Sequence, residues 1–136
     1  MTTLNYTWDA NWTVINASIV LTQGGVITHT SAEIDLNGKV ACLISIDTDY
    51  SNHAKATAGL SISILRDVDD TVYESLQGAA LTFEMPFTQA ATERKVFFLS
   101  AEQFQKFVLR QDWGNTTAGS NCTTATAIKY ANITSV

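Results

Sequence analysis

The chain has one proline, two histidines and two cysteines in 136 residues, and only 15% of it is charged, against roughly 25% in a typical soluble domain. Each shortage excludes something. With His29 and His53 as the whole histidine complement and no Gly-x-Ser-x-Gly anywhere, nucleophilic hydrolysis lacks its base and its strained serine turn. The nearest approach, Gly59-Leu60-Ser61-Ile62-Ser63, lacks the second glycine and sits in a strand pattern. The eight Lys and Arg are scattered and the formal net charge is −5, which leaves no cationic footprint for a phosphate backbone. No apolar run approaches the ~18 residues of a membrane helix. No Lys or Arg precedes Lys39, so the basic flank of a signal peptide is missing. The expectation is a soluble protein without signal peptide, bound to neither nucleic acid nor membrane. Cys42 lies inside an alternating apolar strand and Cys122 far from it, a pattern that favours two reduced thiols over a bridge.

Hydroxyls and amides take the place of charge. The 19 Thr, 10 Ser and 8 Asn suit half-buried pleated surfaces better than solvated helices. In Lys39–Asp47 positions 40, 42, 44 and 46 are apolar, the period of two that marks a half-buried strand. Leu60–Arg66 repeats it, with Leu60, Ile62 and Ile64 inward and Ser61 and Ser63 outward. Asn37-Gly38 between Ala32–Leu36 and Val40–Ile46 predicts a hairpin with a type I′ turn. Further strands are expected at Trp12–Thr22, Val72–Ser75, Ala80–Met85, Arg94–Leu99 and Ala125–Ile133. The apolar parity of the first of these switches near Asn16, which predicts a bulge. Ser100-Ala101-Glu102-Gln103 has the form of a capping box, and we read it as a short helical turn at 100–104 followed by a strand through Arg110. About eight strands at this spacing predict one all-β domain over 1–136, an antiparallel β-sandwich of jelly-roll or immunoglobulin-like kind with at most one short helical turn. Residues 1–10 are a candidate extended N-terminal arm.

Chemistry has few other footholds. Asp67, Asp69 and Asp70 offer hard oxygen donors at a strand exit, as calcium prefers. Val72 nevertheless stands where the calcium-loop glycine belongs and Gly78 where its bidentate glutamate belongs, so a solvated turn is the favoured account. Glu84, in Thr82-Phe83-Glu84-Met85, has no visible carboxylate partner for glycoside hydrolysis. No catalytic residue and no cofactor is implied. Exposed aromatics could stack sugars, Trp113 beside Gly114-Asn115 foremost, with Trp8, Trp12, Tyr6 and Tyr50 behind it.

The run Arg94–Trp113, the loop Asn115–Asn121 and the closing stretch Ile128–Thr134, roughly the last third of the chain, resemble the closing half of small bacteriophage virion structural proteins with a β-sandwich fold. In those an Arg-initiated strand, a short turn and a Phe-rich strand precede a Gly/Asn/Thr loop and a final strand. The resemblance implies a non-enzymatic capsid decoration (cement) protein or a neck or tail component. It would assemble as a homo-oligomer in the host cytoplasm, reside in the virion and have other capsid or tail proteins as partners. Interface candidates under that reading are Trp8, Trp12, Phe87 and Trp113. The alternative is a carbohydrate-binding β-sandwich module or receptor-binding domain.

Overall fold

The structure is a computed structural model and describes residues 4–50, 58–69, 72–115 and 119–135. Its strands are β1 (Asn5–Trp8), β2 (Thr13–Thr22), β3 (Thr28–Thr30), β4 (Ile34–Asp35), β5 (Lys39–Asp49), β6 (Ser61–Asp69), β7 (Val72–Tyr73), β8 (Leu81–Glu84), β9 (Thr92–Ser100), β10 (Lys106–Asp112) and β11 (Asn121–Ser135), with one 3-10 turn at Leu76–Gly78. They form two antiparallel sheets. In the first, β11 pairs with β5 on one side and with both β1 and β2 on the other, and β5 pairs with β9. In the second, β10 pairs with β6 on one side and with β3 and β4 on the other, while β6 carries β7 and β8 along its far edge.

Three edges are therefore single strands broken by an excursion: β1 with β2, β3 with β4, and β7 with β8. Counted that way there are eight strands, ordered 1-8-3-6 in the first sheet and 2-7-4-5 in the second. Strands 1 and 2 lie in different sheets, which excludes the immunoglobulin order. The double Greek key that remains is a jelly roll.

Alternation explains how the two sheets share one core. Cys42, Ile44, Ile46 and Tyr50 from the first sheet meet Ile62, Ile64, Phe107 and Leu109 from the second, all fully buried. Cys42 and Cys122 are both free and buried, and loss of hydration pushes each thiol up to about 12, so neither is poised as a nucleophile. The bulge expected near Asn16 is present as two register shifts between β2 and β11, flanking the Asn16–Thr126 pair. The expected turn at 100–104 is also present: Phe104 N donates to Ser100 O at 2.9 Å, a single α-turn, and β10 follows it.

The hairpin at Asn37-Gly38 is not. The turn closes, with Lys39 N donating to Leu36 O at 2.9 Å, yet β4 pairs with β10 and β5 with β11 and β9. Only Gly38 has positive φ, at +75°, the pattern of a type II turn rather than I′. In a jelly roll strands 2 and 3 belong to opposite sheets, so this turn is a corner between layers. Ser63 faces outward as expected but is buried. Thr82 and Arg110 are its cross-strand neighbours, and Thr82 Oγ1 bonds its hydroxyl at 3.3 Å.

Gly59 shows how closely the neighbouring chains run where the β6–β8 pairing continues past Ser61 and Glu84. A Cβ there would stand 2.0 Å from the carbonyl oxygen of Met85, whose own N–H donates to Leu60 O. Backbone cannot yield as a side chain can. Gly59→Ala is expected to destabilise the fold by about 1–3 kcal/mol, the usual scale of overpacking, read as a lower urea midpoint with unchanged slope.

Candidate functional surface

The two outer faces of the sandwich differ in kind. On the second sheet the outward positions are polar: Thr28, Ser61, Thr82, Glu84, Arg110 and Asp112. Arg110 and Asp112 pair at 2.9 Å, and Thr28 Oγ1 donates to the same carboxylate at 2.8 Å. Two apolar residues on that face, Leu65 and Val108, are buried. Tyr73 on the β7 edge donates its hydroxyl to Glu33 at the opposite edge, and this bond spans the two strands that carry them. The Glu33 bond is the main reason the Tyr73 phenol is pushed up to about 12.

The outer face of the first sheet carries large exposed apolar side chains at both of its edges, with Asp47, Arg94 and Lys129 between them. Tyr6, Trp8 and Ile133 lie at the β1 end, Trp12, Val14 and Val20 along β2, and Val96 and Phe98 on β9, all exposed. Trp8 is 37%, Trp12 40%, Val96 46% and Phe98 58% accessible. Small side chains lie between these ridges, since Ala125 and Ala127 of β11 pair with Asp47 and Ser45 of β5. The result is a depression of about 230 Å3 bounded by Trp12 and Val14 on one side and by Asp47 and Arg94 on the other. Arg94 holds Asp47 in a two-point ion pair at 2.5 and 3.0 Å, and Lys129 Nζ sits 5.3 Å from the centre of the Trp12 ring. If a fully exposed ring offers roughly 200 Å2, the four aromatics alone expose on the order of 400 Å2. That area is divided between the β1/β2 edge and β9, with the Asp47–Arg94 ion pair between them.

The other residues singled out by the sequence are placed as follows. Trp113 is 2% accessible; its indole N–H donates to Ser120 O at 3.1 Å and its ring stacks on Tyr50. It belongs to the core, as does Tyr50, and neither can meet a sugar or a neighbouring subunit. Phe87 is half-buried, edge-on to Tyr50 at 4.9 Å. Asp67 and Asp69 lie on β6, Asp70 and His53 fall outside the described residues, and the described residues contain no group of three or more His, Cys, Asp or Glu able to hold a metal ion. His29 is in β3 rather than a loop, opposite Gln111. Glu84 is exposed on the outward side of β8. Asn5–Trp8, within the candidate arm, pairs with this chain's own β11.

Asp9 is a residue the sequence reading passed over. In the excursion between β1 and β2 its carboxylate accepts from Tyr130 N at 2.9 Å and from Asn132 Nδ2 at 2.7 Å, and its own N–H donates to Tyr130 O. These bonds, the Tyr130 amide first, hold its pKa below the usual carboxylate value. They also pin the segment between Trp8 and Trp12. A lone aspartate between two tryptophans in a turn was the available signal. Because the folded-state pKa is the lower one, the anchor is intact above about pH 4, the unfolded carboxylate value, and is lost as pH falls through the folded value. Tryptophan fluorescence should therefore shift on acidification below pH 4, and Asp9→Ala should show the acid spectrum already at pH 7.

No protein-family description matches this sequence, and no curated protein sequence matches it. Among solved structures the chain is similar to one described as the acidic stable capsid structure of Helicobacter pylori bacteriophage KHP30, at 11% identity and a TM-score of 0.48, with 93% of each chain covered. A likeness at that identity and score assigns neither family nor function to this chain.

Proposed function

We propose that this chain is a non-enzymatic structural protein of a phage particle, acting by self-association and by binding the capsid surface as a decoration or cement protein, or at the neck or tail. The observation that carries the reading is the contrast between the two outer faces. A sandwich needs one buried face per sheet, and a second apolar face is surface left over for another protein. The jelly-roll order is compatible with this, though viral capsid domains share it with lectins and cupins, and a fold alone does not assign a role. The proposed site is centred on Trp8, Trp12, Val14, Val96 and Phe98, with Phe87 at most peripheral.

The test is incorporation into particles purified from a lysed culture of the host that carries the gene. Wild type should co-sediment with them. The double variant Val14→Lys with Phe98→Lys should be incorporated at least tenfold less, and Thr82→Lys on the polar face as well as wild type. Absence of the wild-type chain from particles, or full incorporation of the double variant, would overturn the reading.

One observation favours a second reading, carbohydrate or receptor recognition. The depression beside Trp12 combines an aromatic wall with the Asp47 carboxylate and the Arg94 guanidinium, a mixture suited to a sugar's apolar face and hydroxyls. Under this reading a glycan array yields hits that Trp12→Ala abolishes; an array without hits ends it.

A further inference from the structure

The four lateral edges of the sandwich are not equally protected. The β1/β2 edge is broken at 9–12 and bulged at Asn16, the β3/β4 edge is broken at 31–33, and the β7/β8 edge is broken at 74–80. Interrupted and bulged edges are how sheets avoid pairing with other chains. β9 has none of these devices. It pairs with β5 through nine consecutive residues, Thr92 to Ser100, without a register shift, and among the described residues the only backbone hydrogen bonds given for its other side are those from Gln103 and Phe104 to the Ser100 carbonyl at its end.

We infer that β9 is the self-association edge, and that its occupant is β9 of a second copy, antiparallel across a two-fold axis at Val96. This rests on the reading that the chain works by self-association, and names the interface. Three features of the strand favour a second copy. A two-fold axis at its midpoint overlaps all nine residues, the isologous arrangement most homodimers use. Within that register Val96 meets Val96 of the other copy, and Arg94 lies opposite Phe98, a guanidinium against an aromatic face. Glu93 and Lys95 fall opposite Leu99 and Phe97, so no like charges are opposed, as cross-strand pairing requires. Finally, Val96 and Phe98 belong to the apolar outer face, so the joined sheets would double that face in one continuous surface, ready for a larger particle.

Sedimentation velocity on the full chain tests this. Wild type is expected to be a dimer with concentration-dependent deuterium protection of the β9 amides. Val96→Lys should be monomeric with unchanged circular dichroism, and Val20→Lys, on the same face at the other edge, should remain dimeric. A monomeric wild type, a trimer, or a dimer split by Val20→Lys and not by Val96→Lys would overturn the inference. So would β9 amides equally protected at every concentration. A wild-type monomer that still co-sediments with particles would refute the β9 pairing and leave the virion reading standing.

Discussion

β11 lies between β5 on one side and the collinear pair β1 and β2 on the other, so its fifteen residues set which side of each neighbour faces inward. Cys122 and Ile128 point into the core, and the intervening odd-numbered residues point out. Since the side-chain period of a strand is two, slipping this register by one residue would bring Val14, Val96 and Phe98 to the core and send Ile44 and Leu99 to solvent. Both faces of the first sheet are apolar, so the hydrophobic pattern alone discriminates weakly between these registers. The two bulges beside Asn16, the Asp9 anchor on Tyr130 and Asn132, and the ion pair of Arg94 with Asp47 are polar devices that hold one register.

The same devices shape the surface. Asp9 holds the excursion that separates Trp8 from Trp12 along the same edge of the sheet. Arg94 and Asp47 wall the depression whose floor is kept low by Ala125, Ala127 and Ser45. On the opposite sheet, Leu65 and Val108 are buried, with the bond from Tyr73 to Glu33 spanning their strands, and the exposed apolar residues Val68 and Val72 are confined to the far end of β6 and to β7. The middle of one face is thus covered with polar groups, while the other keeps exposed aromatic and aliphatic side chains at its edges.

Much of the fold was legible in the sequence, and the reason is local. β5 and β6 alternate cleanly, Asn16 marks a parity switch within one strand, and the Ser100 turn is set by four adjacent residues. The jelly-roll order was not legible, because it is fixed by pairings such as β11 with β2 that join residues about a hundred apart. β3, only Thr-His-Thr, has no apolar alternation and exists because β10 lies beside it. The surface was half legible. Trp8 and Trp12 are where an interface reading needs them, while Trp113 sits in a polar stretch whose burial depends on Tyr50, just past β5, and Ser120, just before β11. Val96 and Phe98 read as ordinary members of a Phe-rich strand, since nothing local says that the edge beyond them is unpaired.

Side-chain footprinting with hydroxyl radicals, comparing the dilute chain with the assembled one, tests the central claim most directly, because each outer face carries its own aromatic reporter. The account predicts that Tyr6, Trp8, Trp12 and Phe98 lose reactivity on assembly while Tyr73, on the polar face, keeps it. Protection of Tyr73 with the other four unchanged would contradict it.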